Sequence, residues 1–239
     1  MTSAADKVTR LFAMVYLLMC VQCNKNNSQL PVCYIMAIHA QPNLPPLTIT
    51  TNDNSIATAL GYTSYSPYSE VEAGQLFLTA TNTQTGLPAL QLQINTLVAA
   101  NYYSLLLVEE EQQLVSAVLF TDSIARTDTG KVYLRFINAS PDAGETSLYA
   151  GAAPADTLFS NLELNPQQPA AMAAQPRQLN AGQWSFTLAN SNPPYDTLLQ
   201  IAPQTLQPGG SYTLLLLGYK QPATPEQAPL SVQFITHGL

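Results

Sequence analysis

The stretch Val132-Tyr-Leu-Arg-Phe-Ile-Asn-Ala-Ser-Pro-Asp-Ala143 is an apolar run that ends in short polar turn residues, and the chain states it twice. Tyr34-Ile-Met-Ala-Ile-His-Ala-Gln-Pro42 aligns with Tyr133-Leu-Arg-Phe-Ile-Asn-Ala-Ser-Pro141 at a shift of 133 − 34 = 99. Glu72-Ala-Gly-Gln-Leu76 aligns with Asn180-Ala-Gly-Gln-Trp184 at 180 − 72 = 108. Tyr103-Ser-Leu-Leu-Leu107 aligns with Tyr212-Thr-Leu-Leu-Leu216 at 212 − 103 = 109, and Phe120-Thr121 with Ile235-Thr236 at 235 − 120 = 115. The growing shift puts the added residues in the loops of the second copy, where insertions are tolerated. A repeat of this length predicts two tandem domains rather than a solenoid. The expected divisions are a signal segment 1–22, a tether 23–32, a first domain 33–121, a linker 122–130 and a second domain 131–239.

Between the repeated motifs the chain reads as short strands separated by turn chemistry. The first half predicts strands over 33–38, 47–51, 76–81, 89–94, 102–108 and 113–120. The second predicts them over 132–138, 146–150, 184–189, 198–201, 212–218 and 231–236. Leu90, Leu92 and Ile94 alternate with Gln91, Gln93 and Asn95, the period-two pattern of a half-buried strand. Leu105-Leu-Leu-Val108 and Leu214-Leu-Leu-Leu217 do not alternate, and by length they fit short central strands. The 18 prolines fall chiefly between these runs, where a sheet tolerates them. One or two helical turns are expected near 169–174. The fold class predicted is all-β: two tandem antiparallel β-sandwich domains (immunoglobulin-like or transthyretin-like) after an N-terminal signal segment.

Charged residues make up only 10% of the chain, with 8 Lys+Arg against 15 Asp+Glu and a net charge of −7. No basic stripe exists to neutralise phosphates, which excludes nucleic acid as a partner. Near the N-terminus, Lys7 and Arg10 precede an apolar run, Leu11-Phe-Ala-Met-Val-Tyr-Leu-Leu-Met-Cys-Val21. That run is too short to span a membrane and matches a signal h-region. The polar Gln22-Cys23-Asn-Lys-Asn-Asn-Ser28 follows, in the manner of a bacterial lipoprotein signal whose cysteine is acylated. Cys23 is the favoured lipid anchor and Cys20 the alternative. Position −1 is Gln22 or Met19 respectively, where a small residue is usual. The membrane is therefore an expected partner, through lipid, on an exported outer-membrane protein at the cell surface or the periplasmic face. Cys33 reads as a small buried apolar residue.

Lys131–Leu239 resembles the bacterial domain-of-unknown-function 4397 family. The resemblance is carried by the Arg135-bearing strand and its Asn138-Ala-Ser-Pro-Asp-Ala143 turn, by Ser147-Leu-Tyr149, by Ala181-Gly182 and by the Tyr212–Leu217 strand. It covers 34–121 more weakly: Gln41 stands in place of Ser140, Asn43 in place of Asp142, and Met36 or Ala37 in place of Arg135. The resemblance implies a β-sandwich-like fold, export and lipoprotein signals, and no chemistry.

Two groups of residues are candidate sites. Asn138, Ser140, Pro141 and Asp142 form a structural turn motif in which Ser140 and Asp142 are expected to bond neighbouring backbone N–H groups. Arg135, inside an apolar strand, is expected to pair with Asp142 or another carboxylate. Tyr62, Tyr65 and Tyr68, at spacing three amid Ser, Thr and Pro, are candidate ligand-binding rings for a sugar or a protein. Glu109-Glu-Glu111 reads as a solvated turn. His39 aligns with Asn138 and His237 is near the terminus, so neither suggests proton transfer. No catalytic motif, metal-ligand spacing or cofactor fingerprint is present in the sequence. The functional expectation is a non-enzymatic, lipid-anchored envelope protein acting as a binding or scaffold module on a protein or glycan partner. The alternative is a carbohydrate-binding accessory protein using Tyr62–Tyr68.

Overall fold

The computed structural model describes residues 30–238 except 53, 111–113, 123 and 125–129. The signal segment, Cys20, Cys23 and most of the expected linker 122–130 lie outside the described residues. From Pro31 onward the chain forms one compact unit.

Eight strands make a first lobe: β1 (Val32–His39), β2 (Leu47–Thr51), β3 (Asn54–Leu60), β4 (Ser69–Glu72), β5 (Gly74–Asn82), β6 (Pro88–Leu97), β7 (Tyr102–Glu110) and β8 (Leu114–Asp122). Eight more make a second: β9 (Lys131–Asn138), β10 (Thr146–Ala150), β11 (Thr157–Leu162), β12 (Arg177–Asn180), β13 (Gly182–Asn190), β14 (Thr197–Leu206), β15 (Ser211–Leu217) and β16 (Ser231–His237). A single-turn helix, α1 (Pro169–Met172), lies between β11 and β12. Pro169 opens it, at a position where a missing N–H costs nothing.

The strand order β4-β1-β7-β8 (sheet A) recurs as β12-β9-β15-β16 (sheet C). Likewise β3-β2-β5-β6 (sheet B) recurs as β11-β10-β13-β14 (sheet D). Every strand of the second lobe thus takes the place of the strand eight before it. The protein is all-β and built of β-sandwiches. One pairing in each lobe departs from the antiparallel expectation: β1 runs parallel to β7, and β9 parallel to β15. Strand direction leaves no mark on a run whose two faces are both buried, so sequence pattern could not reveal it.

The layers explain the runs that do not alternate. Ile35, Ala37, Leu105 and Leu107 of sheet A pack with Leu47, Ile49, Leu76 and Leu78 of sheet B in the first core. Phe136, Leu214 and Leu216 of sheet C pack with Leu148, Phe186 and Leu188 of sheet D in the second. The opposite faces of sheets A and C meet in a third core, where Met36, Ile38, Leu106, Val108 and Val118 pack with Ile137, Leu215, Leu217 and Ile235, joined by Met172 of α1. The layer order is therefore B–A–C–D. Each fully buried side chain of this size stabilises by about 1.5–3 kcal/mol, so the third core makes the lobes one body.

The strands that the sequence pattern misses are β3, β4, β11 and β12. Each is an outer strand of its sheet. β4 and β12 bury a single residue each, Val71 and Leu179, so no apolar alternation can appear. β3 and β11 carry register shifts, with Ala59 and Asn161 in the left-handed region, which break the period of two. β7 extends through Glu110 rather than ending before the acidic residues. Glu109 is buried there, accepting hydrogen bonds from Asn43 Nδ2 and Tyr219 Oη, in place of the solvated turn expected. Among the described residues no helix is long and apolar enough to cross a membrane.

Candidate functional site

Between sheets A and C, beside the third core, lies a closed ring of polar side chains, three from each lobe. Arg135 Nη2 donates to Asp122 Oδ1 at 2.6 Å, and Ser104 Oγ donates to the same carboxylate at 2.8–2.9 Å. Arg135 Nε donates to Thr213 Oγ1 at 3.1 Å. Thr213 Oγ1 lies 2.8 Å from His237 Nε2, and His237 Nδ1 lies 2.8 Å from Tyr68 Oη. Tyr68 Oη donates to Asp122 Oδ2 at 2.7 Å, which closes the ring. The carboxylate only accepts, so each proton has one direction. Tyr68 gives its proton to Asp122 and accepts from His237 Nδ1–H, while His237 Nε2 accepts from Thr213. The imidazole is thus the neutral Nδ1–H tautomer. Burial draws His237 down to about 4; Asp122 opposes this and Arg135 adds to it. Burial also pushes the Tyr68 hydroxyl far above the usual phenol range, and the Asp122 charge raises it further. The Arg135 guanidinium lies 5.4 Å from the centre of the Phe120 ring, so its flat face is covered.

Thr213, His237 and Asp122 bring together a hydroxyl, an imidazole and a carboxylate, the groups of a nucleophilic triad. Here the arrangement is structural. Thr213 has no exposed surface, and its oxygen already accepts from Arg135. Arg135 therefore pairs with a carboxylate, as expected of it, but with Asp122 and not with Asp142. The repeat held a signal for this ring. Ser104 aligns with Thr213 at the shift of 109, and Asp122 with His237 at 115, so equivalent strand positions supply acid and base across the interface.

The turn after β9 is held largely by side chains reaching far along the chain. Asn138 Nδ2 donates to Gly144 O (3.0 Å), Thr146 Oγ1 (3.0 Å) and Leu162 O (2.9 Å), while its Oδ1 accepts from Ser140 N–H (3.0 Å). Ser140 Oγ donates to Gly218 O at 2.7 Å. Asp142 accepts from the backbone N–H groups of Lys220 (2.6 Å) and Gln221 (2.8 Å). These partners correct the expectation of neighbouring N–H groups for Ser140 and Asp142: the motif ties the first strand connection to the loop after β15. Pro141 lies at the edge of a cleft shared with Glu109, Glu110 and Leu164. In the first lobe His39 and Gln41 take the places of Asn138 and Ser140, fully buried, with His39 lowered in pKa by burial. Asn138→Ala removes one fully buried amide, and with it the side-chain donor to Leu162 O of β11 and the acceptor for Ser140 N–H; Gly144 O keeps the Thr146 hydroxyl as a donor. It is expected to cost about 2 kcal/mol, read as a lower urea midpoint at unchanged slope.

The three tyrosines do not form one platform. Tyr68 is committed to the ring and meets Tyr102 edge-on at 5.1 Å. Tyr62 packs against the third core, edge-on to His39 at 6.4 Å, and burial pushes its hydroxyl up to about 12. Tyr65 is 41% exposed, its backbone bridged to Ile38. Spacing along a loop could not say which rings turn inward. Cys33 is a free, buried thiol, raised in pKa by burial. Among the described residues no three His, Cys, Asp or Glu side chains gather as a metal site.

Residues 33–149, 149 − 33 + 1 = 117 of 239, match the family model described as Domain of unknown function (DUF4397). The match supports the family to which the Asn138–Ala143 turn points. It runs through the first lobe into β9 and β10, so the first lobe carries more of the likeness than its altered turn suggests. No curated protein sequence matches the chain. Among solved structures, the chain is similar to CBMbc (family CBM26) from Eubacterium rectale Amy13K, crystallised with maltoheptaose. The identity is 10%, 84% of this chain and 96% of the other are covered, and the TM-score is 0.29. It is also similar to a DUF3823 family protein from Bacteroides ovatus at 6% identity, covering 74% and 99%, with a TM-score of 0.21. Neither level of similarity transfers a ligand to this chain.

Proposed function

We propose that this is a non-enzymatic, lipid-anchored envelope protein of a Gram-negative bacterium that serves as a rigid binding or scaffold module. The observation that supports it is the sealed ring: the most reactive combination of side chains is used to hold two lobes together. Recognition then falls to the outer faces of sheets B and D and to their edge strands. The edge strand β6 is ten residues long and carries no charge, which leaves its free backbone groups open to an extended partner. A carbohydrate reading through Tyr62, Tyr65 and Tyr68 is disfavoured by the packing of Tyr62 and Tyr68.

The anchor is tested by metabolic labelling with an alkyne fatty acid. Wild type is expected to take up label and Cys23→Ala to lose it. Label retained in Cys23→Ala moves the anchor to Cys20, and an unlabelled wild type defeats the lipoprotein reading. Binding is tested by co-sedimentation of the full chain with insoluble envelope fragments. Retention above a heat-unfolded control is expected, and none would sink the binding-module reading.

A further inference from the structure

The solvent side of sheet B is a flat field of uncharged hydrogen-bonding groups around one ring. Phe77, on β5, is 57% exposed. It is flanked along its own strand by Gln75 and Thr79. On one side, Phe77 and Asn52 are joined by two hydrogen bonds: Asn52 Oδ1 accepts from Phe77 N–H and Asn52 N–H donates to Phe77 O, both at 2.9 Å. Thr50 lies opposite Thr79. On the other side, Gln93 is opposite Phe77 and Gln91 opposite Thr79. Thr50, Asn52, Gln75, Phe77 and Thr79 line a shallow depression of about 450 Å³.

The amides beside the ring are fixed in advance. Asn95 Oδ1 accepts from both Gln93 Nε2 (2.6 Å) and Gln75 Nε2 (3.1 Å). Among the described residues, this leaves the Oε1 atoms of Gln75 and Gln93 as acceptors, and Nδ2 of Asn95 as a donor, without a hydrogen-bond partner. With strands about 4.8 Å apart and same-face residues about 7 Å apart along each, the patch measures roughly 10 by 13 Å. That is room for two or three sugar rings.

We infer that this face binds a neutral, hydroxyl-rich polysaccharide, with Phe77 as the stacking ring and Gln75, Gln93 and Asn95 as hydroxyl partners. The inference rests on the binding-module reading and names its ligand class. Two observations select this ligand. First, a protein interface groups several apolar residues inside a polar rim, whereas here one phenyl ring stands alone among amides and hydroxyls. A pyranose has the matching shape, an apolar C–H face edged by hydroxyls. Second, none of the eight side chains is charged, and a chain of net charge −7 repels polyanions. The second lobe lacks the site: by the shift of 108, Ser185 stands where Phe77 does, while Gln183 keeps the place of Gln75.

The test is affinity gel electrophoresis of the full chain against neutral polysaccharides (an α-glucan, a β-glucan, a galactomannan, a xylan) and an acidic one, polygalacturonate. Retardation by at least one neutral polymer is expected, weakened tenfold or more in Phe77→Ala and Phe77→Ser and unchanged in Leu114→Ala, an exposed residue of β8 in sheet A. Unaltered urea midpoints in the Phe77 variants would show that they fold. Retardation by none of the neutral polymers, or equal retardation of the Phe77 variants, overturns the inference. So does binding to polygalacturonate alone. If the chain binds no polysaccharide yet still sediments with envelope fragments, the glycan inference falls and the binding-module reading stands. If it does neither, both fall.

Discussion

Arg135→Ala is expected to destabilise the protein by about 3–5 kcal/mol, the cost of leaving one partner of a buried ion pair without the other. Asp122 and Arg135 are both nearly sealed, with side-chain exposures of 1% and 5%. Removing the guanidinium leaves a buried carboxylate with only Ser104 and Tyr68 as donors, and it takes the donor from Thr213 as well. Asp122→Ala should cost a similar amount, and the double variant little more than either single one, because the second change removes a charge already stranded. Urea denaturation of the four proteins makes the comparison. If the two single effects add in the double variant, the pair is not coupled and the ring is not the lock described. Because the six residues come equally from both lobes, the loss also measures how much of the interface depends on its polar ring.

Acidification is expected to weaken the same polar ring through His237. Its folded pKa, about 4, lies below the ordinary histidine value of 6.5. In a window between these values the unfolded chain binds a proton that the folded chain refuses. Stability is therefore fully present above about pH 6.5 and falls as pH drops toward 4, by about 3 kcal/mol in all. The groups facing the imidazole account for the direction. Tyr68 and Thr213 occupy both ring nitrogens, Arg135 stands across Thr213, and Asp122 is 3.9 Å away. A protonated ring would need Thr213 to accept twice, leaving its own hydrogen without a partner. His39, also lowered by burial, acts in the same sense, so the effect is isolated by comparison with His237→Gln. Wild type should lose more stability than His237→Gln between pH 7.5 and pH 4. Parallel losses in the two proteins would rule out His237 as the source.

The sequence carried the all-β class, the doubled motif order and the position of every central strand. These depend on local pattern: turn residues at intervals, alternation in half-buried strands, and apolar runs where two faces are covered. Leu105–Val108 and Leu214–Leu217 announced two buried faces but not what lies against the second. That it is the other lobe, and not a helix or a partner chain, depends on contacts between residues about a hundred positions apart. The outer strands β4 and β12 were illegible because each buries a single residue, and β3 and β11 because their register shifts break the period of two. Three of the ring's members, Asp122, Thr213 and His237, look unremarkable where they stand in the chain. Only the packing of sheet A on sheet C brings them to Arg135 and Tyr68, within hydrogen-bond reach and out of water. The same packing decides which aromatic rings stay outside. It turns Tyr62 and Tyr68 inward, while the pleat of sheet B leaves Phe77 facing solvent. Period and composition say how much of a strand is covered; only the tertiary structure decides by what, and so which polar groups remain for a partner.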